Sequence, residues 1–124
     1  LAGSSRAVFN GAVIIRPGAQ KSDAAQQNQN LLLSEDAMID TKPELQIFAD
    51  DVKCAHGATV GQLDDAALFY LRARGIDGAA ARAMLTHAFA REVVGRISHA
   101  GLREEIDALV EARMNAVTAG GAAS

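Results

Sequence analysis

Cys54 is the only cysteine of the chain, and His56 stands two positions after it. In an extended strand successive side chains alternate between faces, so residues two apart point the same way. The segment Lys53-Cys54-Ala55-His56-Gly57-Ala58-Thr59-Val60-Gly61 would then present a thiol and an imidazole from one surface. That pairing suits zinc, iron or an iron–sulfur cluster, and it also suits thiol chemistry with a neighbouring base. On spacing alone the plainer reading is the commoner one: a small buried cysteine and an ordinary histidine near a sheet edge. Two donors are also an incomplete set for the closed sites that zinc and clusters usually occupy.

The neighbours of the pair shift this balance. Ala55, Gly57 and Gly61 carry almost no bulk. Glycine weakens a strand unless a backbone, a ligand or a second chain approaches closely. Elsewhere the chain offers little chemistry. Gly75-Ile76-Asp77-Gly78 lacks the lysine and the spacing of a nucleotide-binding loop. His87 falls alone in the middle of an expected helix and His99 at a helix end, so both read as structural or solvated.

The elements that must position the pair obey two different periods. From Arg6 to about Val60 there are short apolar bursts: Ala7-Val8-Phe9, Val13-Ile14-Ile15, Leu31-Leu32-Leu33, Leu45-Gln46-Ile47-Phe48 and Ala58-Thr59-Val60. Pro17-Gly18, the Asn28 to Asn30 stretch and Thr41-Lys42-Pro43 separate them, and the expected reading is a series of strands. Gln20 to Asn30 is so rich in Gln, Asn, Ser and Ala that a solvated loop is expected. The alternative is a set of amides stacked between successive coils.

From Asp64 the pattern is helical. Asp64 or Asp65 can cap a short helix through Arg74, with Gly75 as its left-handed stop, and Asp77 caps the next. That second helix runs from Ala79 to about Ser98, with Leu85, Phe89, Val93 and Ile97 on one row beside Met84 and Ala88. A third helix places Leu102, Ile106, Leu109, Val110 and Val117 on one side and Glu104, Asp107 and Glu111 on the other. Glu92 falls on the apolar face of the second helix, where Arg72 and Arg74 are the expected partners. Arg113 intrudes on the apolar stripe of the third helix, as a snorkelling side chain or as the edge of a partner surface. The domain boundary is expected at 63/64.

The chain has 124 residues, enough for one ordinary domain and its core, and 49% of them are apolar, which excludes disorder over most of its length. Fifteen acids against twelve bases give a net charge of −3, with no basic run to hold nucleic acid. The longest strictly aliphatic run, Ala12-Val13-Ile14-Ile15, is far too short to cross a membrane. The start Leu1 to Arg6 has no basic head and apolar core, so no signal peptide is expected. One cysteine cannot form an intrachain disulfide, and cytoplasmic placement is expected.

The stretch from Ala49 to Ile76, ADDVKCAHGATVGQLDDAALFYLRARGI, resembles the SufD branch of the SufB/SufD family of iron–sulfur cluster assembly scaffolds. Further matches are Gln20-Lys21-Ser22-Asp23-Ala24, Gln29-Asn30-Leu31-Leu32-Leu33-Ser34, Thr41-Lys42-Pro43-Glu44-Leu45 and Ala88-Phe89-Ala90-Arg91-Glu92. The resemblance covers nearly all of the chain between Phe9 and Glu92. It implies the last coils of a right-handed parallel β-helix, followed by a C-terminal segment of three helices, and the final portion of a longer parent.

It also implies a function: a non-catalytic scaffold subunit that pairs with a SufB-like subunit and docks a SufC-like ATPase on its helical end. Cys54 and His56 would then be the cluster-assembly residues at the interface. They would act as transient metal ligands completed by SufB groups, with a nascent cluster in the complex and none held stably by this chain alone. Without SufB, a homodimer is expected through Asp51, Lys53, Ala55, Gly57, Thr59 and Gly61. Glu104, Glu111 and Arg113 are the expected margin of the ATPase surface. Two other functions stay open at this point: a thiol enzyme using Cys54 with His56 as base, and a purely structural docking module for an ATPase.

Overall fold

Alternation dominates the first half of the chain. In a computed structural model that describes the backbone of residues 1–120 and the side chains of residues 1–115, four strands form: β1 (Arg6–Ile15), β2 (Asp23–Leu31), β3 (Met38–Ile47) and β4 (Lys53–Gly61). On β1 the odd-numbered residues Ala7, Phe9, Gly11, Val13 and Ile15 are covered while their neighbours are exposed. That is the period of a strand with one face inward. Pro17 and Gly18 turn the chain after β1. Gly18 takes a φ of 81°, and Ala19 N–H donates to the Arg16 carbonyl at 3.1 Å, as in a type II turn.

Strand pairing skips one element each time. β1 runs parallel to β3 with Gly11 opposite Pro43, and β2 runs parallel to β4 with Gln26 opposite His56. Each sheet has only two strands among the described residues. The expected last coils of a right-handed parallel β-helix are therefore not what forms: these are two small separate sheets, with no closed or solenoid sheet. Short apolar bursts report strands, and the lengths of the connections permit parallel pairing. Neither fixes how many strands share a sheet.

The segment expected as a solvated loop, Gln20 to Asn30, is mostly the strand β2. Its inward face carries Ala24, Gln26 and Asn28, and Gln29, Asn30 and Leu31 at its end are half-buried too, so amides more than aliphatic side chains are covered. Composition concealed the strand because the usual apolar alternation is replaced by alternating polar side chains.

The helices are α1 (Asp65–Ala73), α2 (Gly78–Val94) and α3 (Ala100–Gly120). Their starts and stops follow the expected chemistry. The Asp64 carboxylate accepts from Ala66 N–H at 2.9 Å, and Asp77 accepts from Ala79 and Ala80 N–H at 2.9 and 3.1 Å. Gly75 follows α1 with a φ of 86°, a conformation that costs other residues. His99, expected to be merely structural or solvated, accepts from Leu102 N–H through Nδ1 at 3.2 Å and so caps α3. α2 stops at Val94, a few residues short of the expected Ser98.

Two contacts correct the expected helix faces. Glu92 is exposed and pairs with Arg96 one turn on at 3.6 Å, while Arg74 stacks on the Tyr70 ring at 4.4 Å. On α3 the covered residues are Ile106, Asp107, Val110 and Met114, with Leu102 and Leu109 exposed. The packing face is thus rotated from the expected one and includes Asp107, which had been placed on the polar side. The side chain of Val117 lies outside the described residues.

The chain divides into two compact units, Leu1–Gln62 and Leu63–Ser124. The buried apolar residues of the first are Ile15, Ala37 and Ala49; those of the second are Ala81 and Val94. Among the described residues none of the larger side chains is fully buried, so both cores are thin. The buried Thr86 hydroxyl donates to the Arg82 carbonyl at 2.8 Å, which removes the cost of an unpaired polar group.

Candidate functional site

β4 is positioned by β2 and by the turn before it. Lys21, with a positive φ of 61°, donates its N–H to the Asp51 carbonyl, and the Gln20 side-chain carbonyl accepts from Asp51 N–H at 2.8 Å. Lys53 N–H then donates to the Ser22 carbonyl at 2.9 Å, which starts the ladder one residue before Cys54. At the far end Leu32 N–H donates to the Gly61 carbonyl at 2.8 Å, and the Asn30 amide reaches the Thr59 carbonyl at 3.1 Å. One edge of β4 is therefore tied to β2 along its length. Its other edge pairs with no strand among the described residues.

Cys54 and His56 lie on the same face of this strand, in register with Ala24 and Gln26. Cys54 is a half-buried free thiol and His56 is exposed. Neither makes an ion pair or side-chain hydrogen bond among the described residues. No group of three or more His, Cys, Asp or Glu side chains is close enough to hold a metal ion among those residues. The pair can thus offer a sulfur and a nitrogen from one face, two donors where a closed metal site usually takes four.

The residues expected at a dimer interface do not share that face. Lys53, Ala55, Gly57, Thr59 and Gly61 alternate with Cys54 and His56 and so project from the opposite side of β4, and all are exposed. Asp51 is exposed in the turn before the strand. Only an approach along the free edge of β4 would bring both sets to one interface. A Cβ at Gly57 or Gly61 would meet nothing within 4 Å, so these glycines relieve no contact inside the chain.

Glu104, Glu111 and Arg113 are exposed on α3. Helical spacing puts the two glutamates on one face and Arg113 on roughly the opposite one, so they do not form one cluster. The polar group that does form here was missed. Arg91 donates to Asp107 Oδ2 at 3.1 Å, and His87 Nε2 sits 3.5 Å from Asp107 Oδ1. The histidine contact lacks hydrogen-bond geometry, leaving both of its atoms buried without a bond, so the Arg91 contact is the firmer of the two. The seven-residue spacings in α3 could not disclose this cluster, because only the packing of α2 on α3 brings it together.

Residues 1–89 match the family model for the SUF system FeS cluster assembly SufBD core domain. The chain belongs to the SufB/SufD family. It is 47% identical over 109 residues to iron-sulfur cluster assembly protein SufD of Escherichia coli (strain K12), covering 88% of this chain and 26% of that protein. It is 43% identical over 82% of its length to the chloroplastic protein ABCI7 of Arabidopsis thaliana, of which it covers 22%. Against SufD of Bacillus subtilis (strain 168) the identity is 35%, over 90% of this chain and 25% of the relative. The chain thus spans about a quarter of the curated SufB/SufD relatives it matches. No described helix is long and apolar enough to cross a membrane.

Proposed function

We propose that this chain is part of a non-catalytic scaffold subunit for iron–sulfur cluster assembly in the cytoplasm, in which Cys54 and His56 form half of a shared site. The observation that carries this reading is the placement of both side chains on one face of β4, a strand whose second edge is unpaired among the described residues. An unpaired edge is a template for a strand from another chain. A SufB-like subunit arriving along that edge supplies the remaining donors, and the nascent cluster is the cargo of the joint site. Without SufB, a second copy of this chain uses the same edge, about a two-fold axis. The helical unit docks a SufC-like ATPase, with Glu104, Glu111 and Arg113 at the margins of exposed apolar positions such as Leu102 and Leu109.

The test is reconstitution with the SufB-like and SufC-like partners. His56→Ala is expected to slow cluster assembly by about tenfold or more, the scale on which loss of a group in or beside a metal site is felt. Binding of both partners is expected to stay within about twofold, as for a surface change away from buried anchors. Unchanged assembly would make His56 a structural residue and end this reading. Turnover of a substrate by the isolated chain that depends on Cys54 would replace it with thiol catalysis.

A further inference from the structure

Asn10 and Gly11 are neighbours in the middle of β1, and the fold holds them in opposite ways. The Asn10 side chain is exposed on the outward face and makes no hydrogen bond or ion pair among the described residues. Gly11 lies on the covered face, where packing demands a glycine. A Cβ there would collide with Gln26 Nε2 and would lie 2.6 Å from the Phe9 ring.

The ladder decides what the Gly11 nitrogen does. Met38 N–H donates to the Ser5 carbonyl at one end of the β1–β3 pair, and Phe48 N–H donates to the Ile15 carbonyl at the other, both at 2.9 Å. With Arg6 opposite Met38 and Ile15 opposite Ile47, that phase turns the N–H and C=O of the odd-numbered β1 residues toward β3. Gly11 N–H is therefore committed to the carbonyl of Lys42, the residue opposite Asn10.

An asparagine followed by glycine carries its own reaction. With no side chain in the way, the glycine nitrogen can reach the asparagine side-chain carbonyl carbon. A C–N bond forms there as the nitrogen gives up its proton, the bond from that carbon to the side-chain nitrogen breaks, and ammonia leaves. Water then opens the cyclic imide at either carbonyl, giving aspartate or isoaspartate with no change of oxidation state. The attack needs the glycine nitrogen out of its hydrogen bond and the asparagine out of the extended conformation. A paired β1 denies both.

We infer that Asn10–Gly11 is a self-modification site that the pairing of β1 with β3 holds latent, and that deamidates when β1 leaves the ladder. This holds whether or not Cys54 and His56 meet iron. The two products differ in consequence. Aspartate at position 10 brings a negative charge beside Lys42 on the outward face, which the ladder accepts. Isoaspartate lengthens the backbone by one methylene, which puts residues 12–15 out of step with residues 44–47.

Deamidation of the 124-residue chain is followed by mass spectrometry with peptide mapping in mildly alkaline buffer. A synthetic peptide of residues 6–15 in the same buffer gives the unpaired rate. Position 10 of the folded chain is expected to convert about tenfold more slowly than the peptide, or slower still, because a paired strand is open for only a small fraction of the time. Leu45→Ala removes a half-buried β3 side chain opposite Val13 and is expected to raise the rate in the chain by about fivefold or more. If that variant fails to fold, its rate is expected to reach that of the peptide. Asn10→Gln is expected to give no product at this position. Equal rates in the wild-type chain and the peptide would overturn the inference. So would a Leu45→Ala chain whose Gly11 amide exchanges faster with solvent while position 10 converts no faster. In urea, Asn10→Asp is expected to unfold at or above the wild-type midpoint, and the chromatographically separated isoaspartate chain below it. The reverse order would overturn the assignment of the two products.

Discussion

His87 lies half-buried in the seam between α2 and α3 with Asp107 and Arg91 against it, whereas His56 stands exposed on β4 with no ionic partner among the described residues. The first imidazole is built into the packing of its unit. The second is presented at one: β2 holds its strand by one edge, and its ring is left to whatever approaches from outside. Two histidines in one short chain thus separate by what surrounds them rather than by type. Side chains committed to packing read out in stability, and side chains without partners read out in function.

The largest effect is expected where that commitment is deepest. Asp107→Ala removes the carboxylate, 24% exposed, that faces both His87 and Arg91. It is expected to lower the unfolding free energy of the helical unit by about 1–3 kcal/mol, followed by urea denaturation at the helical circular-dichroism band. Most of that loss comes from the packing of the Asp107 side chain in the seam, because Arg91 is 60% exposed and its pair is screened by water. A loss near zero would mean that the seam is held by its apolar neighbours alone, and the contrast with His56 would collapse from the helical side.

The next effect is a cap. Asp77→Ala removes a carboxylate that accepts two backbone N–H groups and is expected to cost about 1 kcal/mol. Asp64→Ala removes one such bond and should cost less, with faster amide exchange confined to the first turn of α1. Equal losses at the two caps would show that the second bond of Asp77 contributes nothing.

The smallest effect sharpens the comparison most. His56→Ala is expected to leave thermal and urea unfolding of the chain within about 0.5 kcal/mol of wild type, as for an exposed residue without partners. A cost as large as that of Asp107→Ala would place His56 among the packing residues.

Much of this was legible in the sequence. The caps Asp64 and Asp77 and the left-handed Gly75 come from local chemistry, and local chemistry is what a sequence displays. The Cys54–His56 pair was legible for the same reason, since a two-residue spacing in a strand decides the face. Relations between distant residues were not. The pairing of β1 with β3 and β2 with β4 is not encoded in any one burst, and the resemblance suggested a winding that the two small sheets do not show.

The strand β2 was hidden by its amides, and its pairing with β4 shows only once the register is known. On α3, Asp107 was assigned to the polar side because helical spacing gives relative directions. It cannot say which direction meets α2. The expected interface residues Lys53, Ala55, Gly57, Thr59 and Gly61 alternate with Cys54 and His56, so the free edge of β4 is where a strand would meet both sets.

The central claim, that His56 offers a ring nitrogen to iron in a site shared with a second subunit, is tested most directly by pulsed electron paramagnetic resonance. The sample is the chain bound to a SufB-like partner, loaded anaerobically with iron and sulfide and carrying isotope-labelled histidine. A nitrogen hyperfine coupling from a histidine to the cluster iron is expected, absent in His56→Ala and absent when the partner is omitted. A cluster that forms on the wild-type complex with no such coupling, or with one that survives in His56→Ala, would contradict it.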